Sequence, residues 1–136
     1  MQDVVSLPSE VKGPRYRILV VDDDQGMREN LAELFESLGY EVWTAANTAD
    51  ALAELERGDV DLLLTDYKMP GPTGVELIEA ARKRQPGIRA VLMTAFGDSF
   101  TEIESDRRGA VGYVNKPFEA DEIIAFVEKI LALRDE

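Results

Sequence analysis

The sequence predicts an α/β domain built on a five-stranded parallel sheet with helices on both faces. Three observations carry this. Short apolar runs recur five times, at 18–21, 40–44, 61–65, 88–94 and 112–115. Segments with apolar residues at helical spacing lie between them. The strands are apolar throughout rather than alternating, so neither sheet face can meet water, which is the mark of a parallel sheet covered on both sides. Right-handed crossovers leave few ways to connect such units.

Residues 1–15 show no period and contain Pro8 and Pro14, so they read as a flexible extension, with the domain running over 16–136. Ile18-Leu19-Val20-Val21 forms the first strand and runs into Asp22-Asp23-Asp24. Met27, Leu31, Leu34, Phe35 and Leu38 mark the first helix, and Gly39 ends it. The strand at 40–44 precedes a helix at 47–57, capped by Asn47 or Thr48 and stopped by Gly58. The third strand, 61–65, ends at Asp66, and a turn-rich loop follows at 69–74. The helix at 75–84 carries Leu77, Ile78 and Ala81 on one face. A strand at 88–94 comes next, then a sparsely apolar helix at 99–108, with only Phe100 and Ile103 as large apolar residues. The fifth strand ends at Lys116-Pro117, and Ile123, Ile124, Val127, Ile130 and Leu131 form the stripe of the last helix.

Composition removes several chemistries. The 136 residues include no His and no Cys. That excludes a Ser-His-Asp triad, a Cys-His pair, a zinc-thiolate centre and a disulfide framework. A metal here has to be a hard cation held by oxygens. Asp and Glu number 27 against 15 Lys and Arg, a net charge of −12, which argues against direct binding of nucleic acid. The cluster Arg82-Lys83-Arg84 with Arg89 lies at and beyond a helix C-terminus, where the helix dipole accounts for the first three. No apolar run reaches the ~20 residues that span a bilayer, and the first fifteen residues are not a signal peptide, so a cytoplasmic, non-membrane protein is expected.

In open parallel sheets, ligands bind beyond the carboxyl ends of the strands. Asp22, Asp23 and Asp24 follow the first strand, Asp66 the third, Thr94 and Ala95 the fourth, and Lys116 and Pro117 the fifth. A single Asp after a strand is commonly a cap or turn residue, and Asp24, just before the first helix, reads that way. Coincidence across four strand ends is harder to explain so. Clustered carboxylates repel, and Mg²⁺ relieves that repulsion while leaving coordination positions for phosphate oxygens. Asp66 is then a candidate nucleophile, with Lys116 and the Thr94 hydroxyl set to meet a phosphoryl group.

These residues resemble the receiver domain of bacterial two-component response regulators. The resemblance covers residues 17–133. It rests on Ile18 to Asp24, Leu64-Thr65-Asp66-Tyr67-Lys68-Met69-Pro70, Gly74, Met93-Thr94-Ala95 and Tyr113-Val114-Asn115-Lys116-Pro117-Phe118, in that order. It implies the flavodoxin-like strand order 2-1-3-4-5. It also implies Asp66 as phosphoacceptor, with Asp22, Asp23, Asp66 and the Lys68 backbone carbonyl around Mg²⁺ or Mn²⁺. Thr94 and Lys116 would contact phosphoryl oxygens, Thr94 and Tyr113 would act as the switch pair, and the Lys116-Pro117 bond would be cis. The implied partners are a sensor histidine kinase or phosphotransfer protein. A second copy is an implied partner through the face made by the fourth helix, fifth strand and last helix. Phe126 and Leu133, seven apart in the last helix, read either as part of that face or as a wider core stripe.

Two departures bear on timing. Lys68 and Phe96 flank the family's attacking-water path and neither orients water, which predicts slow self-dephosphorylation. The segment at 99–108 is more charged than the family habit, consistent with a surface helix or with an element reordered on phosphorylation. Two other functions stay open at this level. One is a Mg²⁺-dependent phosphatase of haloacid dehalogenase type, using Asp22 and Asp24. The other is an inert flavodoxin-like binding module. The loop from Thr94 to Asp98 resembles receivers attached to enhancer-binding activators, so both a stand-alone regulator and a receiver joined to an output domain remain open.

Overall fold

Where the first apolar run was expected, β1 (Arg17–Val21) is buried from Ile18 to Val21. The structure is a computed structural model and describes residues 16–95 and 109–134. The extension 1–15, Phe96 and the expected helix at 99–108 lie outside the described residues, as does the side chain of Leu133.

After β1 the chain forms α1 (Gln25–Ser37), β2 (Glu41–Ala45), α2 (Thr48–Arg57), β3 (Leu62–Asp66) and α3 (Gly74–Arg84). It continues through β4 (Arg89–Thr94), β5 (Gly112–Asn115) and a last helix, here α4 (Ala120–Arg134). The sheet is parallel throughout, in the order β2-β1-β3-β4-β5. Alternate residues of each central strand feed opposite cores. Leu19, Leu63 and Leu92 pack with Ala51, Leu55, Leu77 and Ile78 from α2 and α3. Ile18, Val20, Leu62, Leu64, Val91 and Met93 pack with Leu31 and Phe35 of α1 and with Ile123, Val127 and Ile130 of α4. Two covered faces are what the unbroken apolar strands required.

Element ends differ from the sequence reading by a residue, each for a local reason. Tyr40 does not open β2, because its N–H closes α1 by donating to Phe35 O at 3.2 Å while Gly39 N donates to Glu36 O. This is a Schellman ending, with Gly39 at φ 97° and the Phe35 and Tyr40 rings in edge contact. Asn47 caps α2 through Asp50 N at 2.8 Å, leaving Thr48 as the first helical residue. Thr73 and Glu76 form a capping box, so α3 begins at Gly74 rather than at residue 75. Asp61 precedes β3: its carboxylate accepts from Arg17 N at 2.8 Å.

Phe126 is half-buried, packs against the α1/α4 core and lies over Gly112 of β5. That places it on the core side of the two readings offered for it, although it also lines a surface hollow with Tyr113, Pro117 and Phe118. In the basic cluster, Arg82 Nη1 donates to Ile88 O and Arg84 meets Glu56 and Ala80 O.

Candidate functional site

The carboxyl edge of the sheet gathers the acids. Asp22 and Asp23 follow β1, and Asp66 is the last residue of β3, its neighbour in the sheet. One carboxylate oxygen from each of Asp22, Asp23 and Asp66 lies within 4.8 Å of the others. Asp22 is fully buried, Asp66 is 8% exposed and Asp23 faces solvent. Lys116 reaches back from the end of β5, across the end of β4, to join them. Its Nζ donates to Asp22 Oδ2 at 2.8 Å and lies 3.4 Å from Asp66 Oδ1. The Lys116-Pro117 peptide is cis, as the resemblance implied.

One ammonium faces three carboxylates, and the electrostatics show the imbalance. Burial, then the Asp22 charge, push the Asp66 carboxyl up to about 6, although Lys116 pulls it down. For Lys116, burial works against the ammonium. The hydrogen bond to Asp22 and the charges of Asp66 and Asp22 outweigh it and hold Lys116 above its ordinary value. The donor set is all hard oxygen, close enough to share one cation and partly open to water through Asp23. It therefore fits Mg²⁺ or Mn²⁺ rather than a thiophilic metal.

Supporting contacts hold the acids in place. Asp22 Oδ1 accepts from Asp24 N at 2.9 Å, and Arg28 of α1 donates to Asp22 O at 2.8 Å. Asp24 itself caps α1 by accepting from Met27 N. That confirms its cap reading and takes away the second acid that the dehalogenase-type alternative needs. Lys68 sits in the loop after β3 with its side chain exposed. The loop closes through Gly74 N donating to Tyr67 O at 2.8 Å and Thr48 Oγ1 donating to Pro72 O at 3.3 Å.

Gly74 proves more constrained than its place in a turn suggested. A Cβ there would stand 2.2 Å from Asp66 O and 3.0 Å from a Leu92 methyl. No side chain fits without displacing the end of β3, so Gly74 lets α3 start against the acid that the site is built on.

Thr94 ends β4, is 4% exposed and lies one step beyond Asp66 in register, since Asp66 is level with Met93. Tyr113 is half-buried against the α2/α3 core. The sequence reading passed over Asn115. The β4–β5 register pairs it with Thr94, whose Oγ1 donates to Asn115 Oδ1 at 2.7 Å. Its only sequence signal is its place just before Lys116.

Fold and site together define a flavodoxin-like domain with an acidic pocket at the carboxyl edge of its sheet. A model of the response regulator receiver domain matches residues 18–128. Sporulation initiation phosphotransferase F of Bacillus subtilis is 39% identical over 118 residues, covering 87% of this chain and 95% of that protein. The DNA-binding transcriptional regulator NtrC of Escherichia coli is 34% identical over 115 residues, covering 85% of this chain but 24% of that protein. Among solved structures, a CheY-like receiver domain protein from Methanospirillum hungatei superposes with TM-score 0.83 at 31% identity, covering 90% of this chain and 98% of that one. NtrX from Brucella abortus, in complex with ADP, superposes with TM-score 0.82 at 30% identity, covering 90% and 28%.

The chain belongs to the response regulator receiver domain family. It is a receiver domain of two-component signalling, a phosphoacceptor by class, in a family that binds Mg²⁺ at an acidic pocket. No described helix is long and apolar enough to cross a membrane.

Proposed function

We propose that Asp66 is the residue that accepts the phosphoryl group. The observation that carries this is the convergence of Asp22, Asp23 and Asp66 within 4.8 Å, with the Lys116 ammonium against both buried acids. Asp66 differs from Asp22 and Asp23 in position. It sits at the end of a central strand and ionises near 6, so at neutral pH it is mostly carboxylate and nucleophilic. A carboxylate oxygen of Asp66 attacks phosphorus of a phosphohistidine on a partner kinase or phosphotransfer protein. The P–N bond breaks, the imidazole leaves with its electron pair and takes up a proton, and an acyl phosphate remains. Lys116 neutralises charge on the phosphoryl oxygens, and Thr94 donates its hydroxyl proton to one of them.

Asp22, Asp23, Asp66 and the Lys68 carbonyl are the groups that would hold Mg²⁺ or Mn²⁺. When bound, the cation supplies positive charge for phosphoryl oxygens that carboxylates alone would repel. The output is a conformational signal passed from Thr94 to Tyr113 and the surface around β5 and α4, for dimerisation or for an attached or separate output domain. The domain is a switch rather than an enzyme with a substrate of its own, works in the cytoplasm, begins near residue 16 after the extension, and sheds its phosphoryl group slowly.

Incubation with acetyl phosphate and Mg²⁺ tests this. A hydroxylamine-labile label is expected in wild type and lost in Asp66→Asn. A label of equal intensity in both proteins would refute the assignment.

A further inference from the structure

We propose that Asn115 is a positioning residue of the switch: its side-chain oxygen holds the Thr94 hydroxyl proton in the resting state, and a phosphoryl group on Asp66 has to win that proton from it. The inference rests on the reading of Asp66 and Thr94 given above. A threonine hydroxyl has one proton, and an amide oxygen can only accept, so the 2.7 Å contact commits that proton to Asn115. Thr94 is 4% exposed, so its hydroxyl has little access to water, whereas Asn115 is exposed and water can take up its oxygen once the bond breaks. The pair is held by backbone as well. Thr94 and Asn115 are level in the β4–β5 ladder, and Lys116 N donates to Thr94 O at 2.7 Å.

The placement couples the parts of the switch. Asn115 directly precedes Lys116, which binds Asp22 and lies near Asp66. It follows Tyr113 by two residues, on the same face of β5. When Thr94 turns its proton toward a phosphoryl oxygen, the Asn115 bond breaks, and the end of β5 loses a tie to β4 beside both Lys116 and Tyr113. Asn115 therefore sets part of the cost of switching. A neutral hydrogen bond of this kind corresponds to about three- to tenfold in an equilibrium constant.

The test is titration with beryllofluoride and Mg²⁺, a phosphoryl mimic, on wild type, Asn115→Ala, Thr94→Ala and the double variant. Asn115→Ala is expected to tighten mimic binding about three- to tenfold in the Thr94 protein and to leave it unchanged in Thr94→Ala. Asn115→Asp, an acceptor of the same shape with a full charge, is expected to weaken binding more when Thr94 is present than when it is absent. Unchanged or weaker binding in Asn115→Ala, or an equal shift in both Thr94 backgrounds, would overturn the latch. If wild type itself binds no mimic, the reading of the Asp66 site falls, and the latch with it. If wild type binds and the cycle shows no coupling, the latch alone falls.

Discussion

The two edges of the sheet handle charge in opposite ways. At the amino edge, Arg17 donates from its side chain to Asp59 O at 2.8 Å and to Glu41 at 3.1 Å, while its backbone N–H bonds Asp61. The Arg17 and Arg57 guanidiniums both stand over the Trp43 ring, 4.2 and 4.5 Å from its centre. Gln85 ties Val60 N, Leu55 O and Gly58 O together. These contacts join α2, β2 and β3 and set opposite charges together. At the carboxyl edge, three acids cluster while one lysine reaches two of them, and the mismatch shows in the raised ionisation of Asp66. The first edge is arranged for stability, and the second holds a surplus of negative charge of the kind that a divalent cation relieves.

Removing the lysine should break this contrast most severely. Lys116→Met leaves the fully buried Asp22 without its ammonium partner, so unfolding stability at neutral pH should fall by about 3 kcal/mol. Urea denaturation followed by Trp43 fluorescence measures it. Gly74→Ala should cost about 2 kcal/mol, from the clash with Asp66 O, and should lower the labelling rate because it moves the end of β3. Arg17→Met acts at the other edge. It should cost about 1 kcal/mol yet leave acetyl phosphate labelling unchanged, since the contacts described for Arg17 go to Glu41, Asp59, Asp61 and Trp43, and none of them to Asp22, Asp23 or Asp66. A labelling defect in Arg17→Met would mean that the two edges are not separate in function.

The smallest effect has the opposite sign. Folding raises the Asp66 ionisation to about 6, so the fold favours the protonated carboxyl. That contribution is present in full below the ordinary carboxylate range and is lost as pH rises through about 6. At neutral pH and without divalent cation, Asp66→Asn should therefore be more stable than wild type by about 1 kcal/mol, and the gap should close on acidification to pH ~4. Saturating Mg²⁺ should also narrow it, by stabilising wild type more than the variant. Stability of Asp66→Asn at or below that of wild type in chelator would contradict the view of this edge as electrostatically strained.

Much of this was legible in the sequence because the signals are local. Unbroken apolar runs mark strands buried on both faces, Asp24 and Asn47 mark helix starts through their own side chains, and Gly39 marks a helix end through its backbone. The acids could be placed at one edge because a parallel sheet puts all its strand ends on one side. Strand order was not legible from the residues and came from the resemblance. The role of Gly74 was hidden, because its constraint comes from Asp66 O, eight residues earlier in the chain but in contact. Asn115 was hidden for the same reason: its partner is 21 residues away, and only the β4–β5 register brings them level. The pins of Arg17 and Gln85 are equally non-local.

The most direct test of the central claim is to phosphorylate the protein with acetyl phosphate and Mg²⁺, reduce the acyl phosphate with borohydride, and map the reduced residue by peptide mass spectrometry. The reduction converts a phosphorylated aspartate to homoserine. Homoserine at position 66 is the predicted result, and homoserine at position 22 or 23 instead, with Asp66 intact, would contradict it.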